Sequence, residues 1–174
     1  MKHHLFTSLV IALFLLCTPA FSQSQTTGFF INPKGGIFLW PNQKNGAVLG
    51  VETTYLRNGW MFSADFFHFQ EIGYLSVTDD IYQQAGLMAG KYYGDRLFRI
   101  ELQGGIAALW GIGEPDSSEP NFSTVGLVLK TGLKFIPLHF LSIGLDLQSN
   151  INSKKPLFMP LISIELGKLR AKID

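Results

Sequence analysis

The chain has little of what a soluble enzyme is built from. Charged residues make up only 16%, where a soluble domain carries about 25%. The single cysteine is Cys17, and beyond the first four residues the only histidines are His68 and His139. A mature chain without cysteine has no disulfide framework, no thiol nucleophile and no thiolate-bound metal. Zinc-ligand spacings and basic tracts are missing, and the net charge is +1, so no strong field draws the chain to nucleic acid. No clear helix exists to follow a glycine-rich phosphate loop. Past residue 22 there is no run of 18 apolar residues, which argues against a transmembrane helix.

What is there is apolar and dispersed. Hydrophobic residues make up 47% of the 174 residues, and mean hydropathy is +0.20. The first 22 residues read as a signal peptide. Lys2, His3 and His4 form a basic start, Leu5 to Leu16 is apolar, and small residues Ala20 and Ser22 suit cleavage before Gln23. A lipoprotein site needs a small residue before its cysteine, and Leu16 stands there. Residues 23–174 then form one barrel domain. Length, low charge and scattered apolar residues suit an outer-membrane β-barrel, where lipid-facing side chains recur at every second position.

Period-two alternation marks eight strands, at about 28–40, 46–56, 59–70, 80–93, 96–111, 122–135, 139–150 and 157–169. Short connections at Arg57-Asn58-Gly59, Gly94-Asp95 and Ile136-Pro137-Leu138 alternate with longer ones at Pro41–Asn45, Glu71–Asp79, Ile112–Asn121 and Ile151–Pro156. Short turns on one rim and long loops on the other are the layout of such barrels, with both termini on the short-turn, periplasmic rim.

Side-chain size assigns the faces. One face of the sixth segment carries Val125, Leu127, Leu129, Leu133 and Phe135, and the other Gly126, Val128, Lys130, Gly132 and Lys134. The seventh sets Leu141, Ile143, Leu145 and Leu147 against Ser142, Gly144, Asp146 and Gln148. An eight-stranded barrel has an interior just wide enough for side chains to fill. The small and charged face fits inside, and the bulky face needs lipid. The expected lumen charges are Glu52, Asp65, Arg99, Glu101, Lys130, Lys134, Asp146 and Glu165, and charges away from water must pair. A paired lumen blocks water; an ion or solute path is the alternative. Aromatics near strand ends are expected to form interfacial girdles: Trp40, Tyr55, Trp60, Tyr92, Trp110 and Phe135, with Tyr93, Phe98 and Phe140 nearby.

On strand number, alternation and loop asymmetry, the chain resembles the small eight-stranded outer-membrane barrels of Gram-negative bacteria, the family of the OmpA transmembrane domain and OmpX. Such proteins often end in an aromatic residue, and this chain ends Leu169-Arg170-Ala171-Lys172-Ile173-Asp174. The Phe21-Ser22-Gln23 junction resembles exported proteins of the Bacteroidetes type. The resemblance implies an outer-membrane location, partners in outer-membrane lipid, lipopolysaccharide and the barrel-assembly machinery, and a monomer. Some barrels of this size deacylate lipid A through a His-x-Ser-Asn motif. Leu147-Gln148-Ser149-Asn150 matches the Ser and Asn, but Leu147 replaces the base that would activate Ser149.

The expectation is an all-β, eight-stranded antiparallel up-and-down transmembrane β-barrel with no cofactor and no metal. Its role is non-enzymatic: structural, surface-interacting or narrow-pore. A lipid A-modifying enzyme and a soluble periplasmic or secreted lipid-binding barrel are the alternatives.

Overall fold

The computed structural model describes residues 27–40, 45–71, 81–95, 97–112 and 122–169. The signal-peptide reading, and most of the loops expected at 41–45, 71–79 and 112–121, lie outside the described residues. Eight strands run in order: β1 (Thr27–Phe38), β2 (Gly46–Arg57), β3 (Trp60–Glu71), β4 (Ile81–Gly94), β5 (Phe98–Ile112), β6 (Phe122–Leu138), β7 (Leu141–Ile151) and β8 (Leu157–Gly167). Each pairs antiparallel with the next, and β8 pairs with β1 to close the barrel. Closure leaves no unpaired sheet edge.

Local chemistry explains the tight rim. Asn58 and Gly59 both have positive φ, 51° and 81°. That is the type I′ geometry that matches strand twist in a two-residue hairpin. Between β4 and β5, the Asp95 carboxylate accepts the backbone N–H groups of Leu97 and Phe98 at 2.7 and 2.8 Å. The third turn differs from the sequence reading. β6 continues to Leu138, the turn is His139-Phe140, and the register shifts between Phe135 and Leu138. Pro137 cannot donate to the ladder, so the strand takes up one extra residue there as a bulge. The bulge leaves Ile136 buried inside the barrel mouth.

The wall has the inverse of a soluble protein's distribution. Leu49, Leu87, Val125, Leu145 and Ile162 are each about two-thirds exposed, and every strand carries at least one exposed large apolar residue on its outward face. The buried set includes Glu52, Glu101, Lys130, Lys134, Asp146 and Glu165.

Candidate functional site: a ring of ion pairs in the lumen

Alternation delivers one inward residue at every second position, and the inward residues sort into three layers. Near the short-turn rim, Phe30, Leu56, Met61, Ile136 and Leu169 form an apolar cluster with Tyr92 packed on it. Near the long-loop rim, Phe38, Trp40, Phe67, Phe69, Tyr82, Leu109 and Met159 belong to a second. Between them lie the charges.

These charges form a closed cycle of alternating sign. The Lys130 ammonium donates to both Glu52 oxygens at 2.7 and 2.8 Å. Lys34 donates to Glu52 at 2.9 Å and pairs with Asp146 at 2.9 Å. Lys134 donates to Asp146 at 2.6 Å and to the Ser163 hydroxyl at 2.5 Å, and lies 3.9 Å from Glu165. Arg99 donates to Glu165 at 2.6 Å and to Glu101 at 2.8 Å. Glu101 returns to Lys130 at 3.6 Å. The members come from β1, β2, β5, β6, β7 and β8, so the cycle ties distant staves of the barrel together. Thr54 shares a 2.8 Å hydrogen bond with Ser63, which brings in β3. Outside the cycle, the Asn150 amide donates to Gln84 at 2.8 Å, which links β7 to β4.

Burying a charge costs several kcal/mol unless geometry and partners repay it. An alternating cycle supplies each ion with opposite charge on two sides. Glycines make the space: a Cβ at Gly144 would collide with the Lys134 side chain, and one at Gly132 with Asp146. The strand-interior glycines are sockets for long neighbours.

All eight charges read from the sequence lie inside, and seven of them belong to the cycle. Asp65 does not. It accepts the Gln148 amide at 2.8 Å, and among the described residues no cation is within ion-pair distance of it. The cycle's eighth member, Lys34, was missed, although it lies within the first strand read from the sequence. Strand parity was the available signal, since Lys34 lies two residues from Asn32, on the same face, and Asn32 is the cross-strand partner of Glu52.

The girdle expectation needs correcting at two positions. Tyr55, Trp60 and Phe135 are exposed on the outer wall, and Trp110 is half-buried there, bonded to Gln83 at 3.0 Å. Trp40 is buried inside, only 4% exposed, and Tyr92 packs against the lower apolar cluster. Both have even numbers on strands whose even positions point inward. Large residues are also more common inside than the size argument implied. Phe67 fits because Gly50 beside it has no Cβ, and Phe38 fits beside Gly46 for the same reason.

Among the described residues no catalytic set assembles around Ser149. It is half-buried on the outward side of β7, among the exposed apolar neighbours Leu147 and Ile151. His139 lies in the turn at the opposite rim, and His68 is on β3. Among the described residues no group of three or more His, Cys, Asp or Glu is placed to hold a metal.

No protein-family model and no curated protein matches the sequence. Solved structures do match the fold. Neisserial surface protein A has a TM-score of 0.67 at 11% identity, with 83% of this chain and 99% of that one covered. The N-terminal β-barrel domain of Pseudomonas aeruginosa OprF has a TM-score of 0.67 at 12% identity with the same coverage. The attachment invasion locus protein of Yersinia pestis has a TM-score of 0.59 at 12% identity, again covering 83% and 99%. These are small eight-stranded outer-membrane barrels, and at such identities the likeness is one of fold.

Proposed function

We propose that the chain is an exported, monomeric outer-membrane barrel with a closed lumen and a non-enzymatic role, structural or at the cell surface. The carrying observation is the inside-out distribution. Large apolar side chains cover the outer wall, and the ionic cycle is shut between two apolar layers. An apolar wall of this extent in water would be an aggregation site, since soluble monomers rarely expose patches beyond a few hundred Å². In a bilayer it is the ordinary condition of a barrel. The signal peptide read at residues 1–22 supplies the export route, and the barrel-assembly machinery and outer-membrane lipid, lipopolysaccharide included, are the expected partners. A surface role is in keeping with the fold's likeness to a protein named as a surface protein and one named as an attachment invasion locus protein.

A porin-like path is disfavoured because side chains fill the lumen at three successive levels. A deacylase is disfavoured because Leu147 stands in place of a base and Ser149 faces outward. Three experiments test the reading. Membrane fractionation with heat-modifiable gel mobility is expected to put the protein in the outer membrane; a detergent-free soluble protein would overturn it. Planar bilayers are expected to show no steady conductance; reproducible channels would sink the closed lumen. Lipid A mass spectra are expected to be unchanged by the protein; an acyl change abolished by Ser149→Ala would establish the enzyme instead.

A further inference from the structure

The turn between β7 and β8 places one lysine inside the barrel mouth. Asn152 builds the turn. Its side-chain oxygen accepts the backbone N–H groups of Lys154 and Lys155 at 3.0 and 2.6 Å. Its amide donates to the Lys155 carbonyl at 2.8 Å and to Asn150 at 3.1 Å. So held, Lys155 turns inward, and its ammonium meets three aromatic rings: Trp40 at 4.7 Å, Tyr82 at 4.8 Å and Phe122 at 5.1 Å. It also lies 3.4 Å from the Tyr82 hydroxyl, which donates to the Glu71 carboxylate at 3.2 Å. Trp40 and Tyr82 stand nearly perpendicular, at 87°, so the rings form walls rather than a stack.

Three ring faces around one cation, with a carboxylate behind one ring, make an aromatic cage. Such cages recognise quaternary and methylated ammonium groups, and their attraction grows once water is excluded. We propose that the long-loop mouth of this barrel is an ammonium-binding site, held shut by the chain's own Lys155, whose exogenous ligand is an alkylated ammonium group. A primary ammonium is compact and strongly hydrated. A quaternary ammonium gives up less water on entering the cage, so it is the fitter occupant. Lys155 competes because it is tethered, at an effective concentration of about millimolar for a short connection. The bound ligand replaces Lys155 and releases the β7–β8 turn from the mouth. The site depends on the rings and the turn alone, so it stands whether or not the barrel proves to lie in a membrane.

The test uses the full chain folded in detergent micelles, with tetramethylammonium chloride as probe and sodium chloride at equal ionic strength as control. Lys155→Ala is expected to bind tetramethylammonium saturably, read by tryptophan fluorescence, at least roughly tenfold more tightly than the wild type. Adding Phe122→Leu is expected to remove that gain. In the wild type, labelling of Lys155 by an amine-reactive ester, read by mass spectrometry, is expected to rise with tetramethylammonium and not with sodium. A folded Lys155→Ala protein that titrates like the wild type overturns the proposal. So does Lys155 labelling that tetramethylammonium leaves unchanged, which would make the lysine a structural plug only. If Lys155→Ala fails to show the folded gel mobility, the labelling result decides alone.

Discussion

Glu52→Gln is the sharpest perturbation of the ionic cycle. It preserves shape and removes one charge. Glu52 receives Lys130 at 2.7 and 2.8 Å and Lys34 at 2.9 Å. After the change Lys34 keeps Asp146, but Lys130 keeps only Glu101 at 3.6 Å. Removing one partner of a buried pair costs about 3–5 kcal/mol, because the remaining charge stays buried and uncompensated. The upper half of that range is expected, since one carboxylate serves two cations. Asp65→Asn is the matched control. It also neutralises a buried acid, but Asp65 accepts the Gln148 amide, a hydrogen bond that an Asn oxygen can still accept; its expected cost is below about 1 kcal/mol. Equilibrium urea unfolding in lipid vesicles, followed by tryptophan fluorescence and unboiled gel mobility, measures both. Adding Lys130→Met to Glu52→Gln removes the orphaned cation and should return at least half of the loss, about 2 kcal/mol or more, and with the Lys130→Met single variant the cycle should show clear coupling. Equal costs for Glu52→Gln and Asp65→Asn would refute the reasoning, because the cycle would then give Glu52 no special standing. A coupling near zero between Glu52 and Lys130 would do the same.

Three more outcomes are expected. Leu145→Arg, at a mid-strand position 63% exposed on the outer wall, should cost about 2–4 kcal/mol in a bilayer, measured by the same unfolding; a cost near zero would mean that this face meets water. Gly59→Ala forces a Cβ onto a backbone with φ of 81° and should cost about 1–2 kcal/mol, with hairpin pairing at Arg57–Trp60 loosened in amide exchange. Asp95 lies outside the wall, and the backbone N–H groups of Phe98 and Leu97 hold its carboxyl below the usual aspartate range. Its stabilisation is therefore complete above the ordinary aspartate pKa and is lost as pH falls through the lowered folded value. The stability gap between the wild type and Asp95→Ala should narrow with acidification in that window, and a gap that widened would contradict the capping role.

Much of the fold was legible because period two survives even where residue types vary. The Val125-to-Phe135 and Leu141-to-Leu147 rows alone orient the wall. The β6–β7 turn was misplaced because Pro137 is a turn residue on composition, and only the pairing partner reveals a bulge. In the candidate site, individual charges were readable from parity, but their order was not. Which cation meets which carboxylate depends on the stagger between strands far apart in sequence. The same limit hid the aromatic cage: "SNINSKKP" reads as a polar loop, and nothing local says that Lys155 turns back over Trp40, Tyr82 and Phe122. Trp40 was placed on the outer rim because its position near a strand end outweighed its even number.

The ionic cycle has a consequence for the order of assembly. Lys130 and Glu52 are 78 residues apart, and Arg99 and Glu165 are 66 apart. Hairpins form from neighbours, so a partly assembled sheet holds the local pairs Lys34–Glu52, Arg99–Glu101 and Lys134–Asp146 but lacks the long-range ones. Arg99 lacks Glu165 until β8 is present, and Lys34 lacks Asp146 until β7 has come round to β1. The second, long-range partner of Lys34, Glu52 and Arg99 arrives as the barrel closes. Incomplete barrels are thereby penalised as a class, and closure becomes a single cooperative step. The lumen thus works as a completeness check on the fold, because the cycle closes only when its first and last staves are both in place.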